Sequence, residues 1–91
     1  MAEPSARIAA KVTMLFGDRA PEVATSLREL DFGLQSSDRV HAAVLILSGS
    51  EWNKLDEALR IARIDWRDVL VAAGLANGDW PQRVDAFLTS S

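Results

Sequence analysis

Arg60, Arg63 and Arg67 are the residues whose type and spacing most invite chemistry. Steps of three and four put three guanidinium groups in one row of a helix. A guanidinium is always charged and offers paired donors that fit a carboxylate or a phosphate. Such a row reads either as a solvated face with local ion pairs, Asp56 lying four residues before Arg60, or as an anchor for an acidic partner. Trp52, Trp66 and Trp80 recur every fourteen residues, each directly after an acid. Tryptophan in a small helical domain is mostly core, but its ring also supplies contact area where one edge stays wet. Trp80, on the last helix, is the tryptophan expected on an exposed binding patch. Arg60, Arg63, Arg67 and Trp80 are therefore the expected partner-binding residues.

Catalytic and metal chemistry find less support. His41 is the only histidine, three residues after Asp38, close enough for a carboxylate–imidazole pair. No serine lies in a strained-turn motif that would make it a nucleophile for that base. A lone histidine hydrogen-bonded inside a central helix is the expectation, and no enzyme is predicted. Asp65, Asp68 and Asp79 do not follow the alternating ligand offsets of a calcium loop, and they stand where helix caps and first-turn acids belong. The chain has no cysteine, which rules out disulfides and cysteine-ligated zinc. No cofactor is implied.

Composition sets the frame. Ninety-one residues, 48% hydrophobic and 25% charged, describe one folded domain. A chain of this size buries only about 60–65% of its unfolded surface, so its stability margin is thin. The net charge of −3 argues against a nucleic-acid binder, which carries a basic surplus. The longest apolar run, Ala42–Leu47, is far short of the roughly 20 residues of a membrane span. No secretory signal is read near Glu3, Arg7 and Lys11, so a cytoplasmic location is expected.

The elements that must position these residues are helices. Apolar Ile8, Val12, Leu15 and Phe16 make one face of a first helix, with Ser5 as its cap and Gly17 as its stop. Pro21 suits the first turn of a second helix with Ala20, Val23, Ala24, Leu27 and Leu30 inward. Phe32, Gly33 and Leu34 are expected to close it, Gly33 as a left-handed cap. Gln35-Ser36-Ser37-Asp38 is the most polar link and a possible sub-boundary at 35–37. The following helix, about 37–48, is apolar nearly all round through Val40–Leu47 and must lie at the centre.

Ser48 and Glu51 have capping-box spacing, with Ser50 as the competing cap. The next helix is expected to bury Trp52, Leu55, Ala58, Leu59 and Ala62, widened by Ile61 and Ile64. Asp65-Trp66-Arg67-Asp68-Val69-Leu70-Val71-Ala72-Ala73-Gly74 then reads as a short helix with its own cap and stop. Apolar spacing runs on through 52, 55, 59, 62, 66, 69 and 73, so one helix from 51 to 73 is the alternative to a break at Asp65. Asn77-Gly78 turns the chain into a last helix with Pro81 in its first turn and Val84, Phe87 and Leu88 inward. Residues 1–5 and 89–91 are expected to be mobile.

Arg39-Val40-His41-Ala42-Ala43-Val44-Leu45, the Ser48-Gly49 link and Asp65-Trp66-Arg67-Asp68-Val69-Leu70 resemble a family of small uncharacterised bacterial helical proteins, over about residues 39–80. The resemblance supports the helix boundaries and implies no activity. The expectation is a single all-α domain at 1–91, a compact bundle of five or six short helices around the helix at 37–48. Its expected work is to bind a protein partner or a second copy of itself. Nucleic-acid or phosphoanion binding by the arginine row is the alternative.

Overall fold

The computed structural model describes residues 3–30 and 37–89. It is all-helical, with no strand among the described residues. The helices are α1 (Ala6–Phe16), α2 (Ala20–Arg28), α3 (Ser37–Ser48), α4 (Trp52–Ile64), α5 (Trp66–Ala73) and α6 (Trp80–Thr89). A 3₁₀ turn at Gly17–Arg19 joins α1 to α2.

The all-round apolar character of α3 decides the architecture. Val40, Ala42, Ala43, Val44 and Leu45 are all buried, and α3 packs against α1, α4, α5 and α6. The remaining helices are two-faced and contribute one stripe each: Ile8 and Val12, Val23 and Leu27, Leu55, Ala58, Leu59 and Ala62, Val69 and Leu70, and Val84.

Local signals set most of the ends. The Ser5 hydroxyl accepts the Ile8 N–H at 3.3 Å, and Glu3 reaches Arg28 at 3.3 Å, so residues 3–5 are tied to α1 and α2. Pro21 sits in the first turn of α2. The expected closure of α2 by Phe32, Gly33 and Leu34, and the link at 35–36, lie outside the described residues.

The helix breaks at Asp65. Its backbone is extended (φ −154°, ψ 101°), and its carboxylate accepts the Arg67 N–H at 3.0 Å to cap α5. The continuous 51–73 helix is thereby excluded. At the other end Gly74 is left-handed (φ 78°, ψ 22°), donating to the Val71 carbonyl at 3.2 Å while Leu75 N–H reaches Leu70 at 2.8 Å. That pair of bonds is a Schellman stop. Leu75, almost completely buried, is the apolar residue that goes with it.

Two expectations fail between α3 and α4. The Ser48–Glu51 capping box does not form, because Ser48 is the last residue of α3 and its hydroxyl donates to the Leu45 carbonyl at 2.7 Å. Glu51 holds the cap position of α4 without a side-chain cap bond and pairs with Lys54 at 2.8 Å. Gly49 and Ser50 both take positive φ (53° and 69°) in a turn closed by Glu51 N–H to the Ser48 carbonyl. Likewise Trp52 is 37% exposed and Ile64 82% exposed, so neither is core.

Candidate functional site

The break at Asp65 divides the arginine row. Arg60 and Arg63 belong to α4 and Arg67 to α5. All three are exposed, and among the described residues none has a carboxylate within ion-pair distance. The expected Asp56–Arg60 pair does not form. Arg67 lies over the ring of its neighbour Trp66, 5.3 Å from the centroid. We expect changing Arg60, Arg63 and Arg67 together to Gln to leave stability within about 1 kcal/mol, as for exposed sites making a weak ring contact at most. A urea titration showing a loss above about 2 kcal/mol would mean that the row is structural.

Trp80 is half-buried, packed against the core, with the Arg39 guanidinium 5.0 Å over its ring. Arg39 Nε also donates to the Leu75 carbonyl at 2.9 Å, so this arginine ties α3 to the α5–α6 link. The most exposed tryptophan is Trp52. It meets Phe16 edge-on at 6.2 Å and lies under Arg19 at 4.5 Å. Each tryptophan thus has a guanidinium over one face, a pairing that the fourteen-residue interval does not reveal.

Asp65 caps, Asp68 lies in the first turn of α5, and Asp79 pairs with Arg83 at 2.8 Å. That hydrogen bond from Arg83 holds the Asp79 carboxyl below the usual carboxylate range. Among the described residues, no three His, Asp or Glu side chains converge as metal ligands. Nor is any helix among them long and apolar enough to cross a membrane.

His41 is completely buried, with Nε2 3.0 Å from the Leu27 carbonyl. A carbonyl only accepts, so Nε2 carries the proton and the ring joins α3 to α2. Burial pushes the imidazole pKa down, against the smaller upward pulls of the Leu27 bond and the Asp38 charge. Below the ordinary imidazole value the unfolded chain takes up a proton that the folded one resists, so stability falls with pH. As pH drops through the ordinary imidazole value of about 6.5 the loss should steepen towards about 1.4 kcal/mol per unit at most. Chemical denaturation at several pH values checks this, and an equal slope in His41→Gln would refute the assignment.

Sequence reasoning did not single out a groove of about 370 Å³ between α4 and α5. Leu47 of α3, Ala58 and Ile61 of α4 and Ala72 of α5 line it, with Lys54 and Glu57 at the rim. Its depth comes from two alanines, Ala58 and Ala72, whose side chains leave room that larger ones would fill. Ile64 of α4 and Val71 of α5 are the exposed large aliphatic residues of these two helices, Val71 at 68%. The usable signal was Ile61, which lies off the centre of the buried stripe of α4.

The described residues form a small all-helical domain with an apolar groove between α4 and α5. Comparison with protein-family models, curated proteins and solved structures finds no match to the chain.

Proposed function

We propose that this protein is a small non-enzymatic protein–protein interaction module and that it binds through the α4–α5 face. The observation that carries the reading is the groove lined by Leu47, Ala58, Ile61 and Ala72. Single exposed aliphatics are ordinary, whereas an apolar hollow between two helices is a place where a partner's apolar side chain can be buried. His41 supplies no contrary reading, since its ring bridges two helices away from solvent. A cysteine-free chain suits a cytoplasmic setting. The family resemblance over residues 39–80 brings no activity to weigh against this.

The test is capture from native cells on immobilised protein, comparing wild type with Ile61→Lys and Ala72→Arg. Both residues line the groove, Ile61 half-buried and Ala72 exposed. Circular dichroism checks that each variant folds. The reading expects a protein retained by wild type and lost from both variants. Identical retention by all three would overturn it.

A second reading, a phosphoanion or nucleic-acid site on Arg60, Arg63 and Arg67, is favoured by the lack of carboxylates beside them. It requires binding at low salt that weakens steeply as salt rises. The acidic balance of the chain opposes it.

A further inference from the structure

The side chains buried on the two sides of α3 differ in kind. Towards α4 and α5 the packing is dry, since the residues that those two helices bury, Leu55, Leu59, Val69 and Leu70 among them, are all apolar. Among the described residues the buried polar side chains are Lys11, His41 and Ser48. Lys11 of α1 crosses to α6, its ammonium 4.7 Å over the Phe87 ring. His41 of α3 crosses to α2, with Nε2 3.0 Å from the Leu27 carbonyl. Ser48 follows His41 by two helical turns, which puts both on the same side of α3. The buried polar groups gather where the α1–α2 pair meets the rest of the fold.

We propose that α1 and α2 form a lid, which lifts off α3 as one unit while α3 to α6 stay folded. Seams between units that move apart are more polar than a core, because a polar group regains its hydration on opening and an apolar one does not. The pair also holds itself together. α1 and α2 pack on each other through the turn at Gly17–Arg19, and Glu3 ahead of α1 reaches Arg28 at the end of α2 at 3.3 Å. Two further ties to the body lie at the surface. Arg7 pairs with Asp85 at 2.6 Å, both side chains more than half exposed, and Arg19 lies 4.5 Å over the ring of exposed Trp52. Contacts of this kind are weak in water. Ile8, Val12, Val23 and Leu27 are the apolar residues that hold the lid shut, so its opening costs something, but less than unfolding the whole chain. Opening turns the His41 and Ser48 side of α3 to solvent. The groove lined from α3, α4 and α5 stays in place.

The test is native-state hydrogen exchange on the full chain, followed amide by amide by NMR at several low urea concentrations. Corrected for intrinsic rates, the amides of α1 and α2 should exchange at least about tenfold faster than the slowest amides of α4 and α5, and with a weaker dependence on urea. Val69→Ala lies in α5, which packs on α3 and α4. It destabilises the closed and the open form alike, so it should speed the slowest α4 and α5 amides by about tenfold and leave those of α1 and α2 unchanged. Val23→Ala, on the lid, should speed the α1 and α2 amides by about tenfold. Equal protection and equal urea dependence in the two sets would overturn the proposal, as would a Val69→Ala shift shared by α1 and α2. The wild-type comparison decides even where a variant does not fold.

Discussion

Leu45→Ala is expected to cost about 3 kcal/mol, the largest single effect of a conservative truncation in this domain. Leu45 is 1% exposed in the middle of α3, the helix against which four others pack. Truncation removes apolar area and leaves a cavity that cannot collapse, since the surrounding side chains belong to several helices and no single one can move in. Against a total stability of about 5–13 kcal/mol for a chain this long, the change is a large fraction. It should lower the melting temperature by on the order of 15 °C. In urea the midpoint should fall with the slope unchanged. Leu47→Ala, at the half-buried rim of the same helix, should cost clearly less. Equal losses at the two positions would contradict the central placement of α3.

Gly74→Val should cost about 2–3 kcal/mol, for a different reason. An added Cβ would meet only Arg83 Nη1 at 3.8 Å, an ordinary contact, so neighbouring atoms do not forbid it. The cost is conformational. At φ 78° a β-branched residue clashes with its own backbone, and escape would break the bonds from Gly74 and Leu75 to the last turn of α5. Leu75 would then leave the core. Asn tolerates the left-handed region, so Gly74→Asn should cost much less than Val. Gly78 does not have positive φ and has open space where a Cβ would stand, so Gly78→Ala should be nearly neutral. Denaturation of the three variants orders them, and a neutral Gly74→Val would refute the stop.

The helix ends that could be read from sequence are those decided within one turn. Ser5, Pro21, Asp65 and Gly74 each act on backbone groups two to four residues away, so their side chains announce them. The buried core of α3 was equally legible, because a helix with no polar face has only one place to go. What was not legible depends on partners distant in sequence. Ser48 looks like a cap beside Glu51, but it is the last residue of α3 and its hydroxyl turns back to the Leu45 carbonyl. Trp80 and Trp52 are alike in spacing. Their different exposure follows from Arg39 and Leu75 at one and from the end of α1 at the other. Lys11 reads as a surface residue yet is 5% exposed, its ammonium 4.7 Å over the Phe87 ring between α1 and α6.

The arginine row shows the same limit from another side. Steps of three and four continue through 60, 63 and 67 although the helix does not, because one extended residue interrupts the axis without disturbing the count. The groove was hidden for a related reason. Nothing in the sequence marks Ala58 and Ala72 as a pair, and only their apposition across two helices opens a hollow.

The guanidinium over each indole makes the molecule its own set of optical probes. Trp52 sits where α1 meets α4, Trp66 at the α4–α5 break as the first residue of α5, and Trp80 where α3 meets the start of α6. Leaving one indole at a time and replacing the others by Phe would give three emission signals from three separate junctions. Coincident transitions would show that the N-terminal helix pair and the α3–α6 body melt as one cooperative unit. An earlier transition at Trp52 alone would show that α1 and α2 detach first, leaving α3 uncovered on that side.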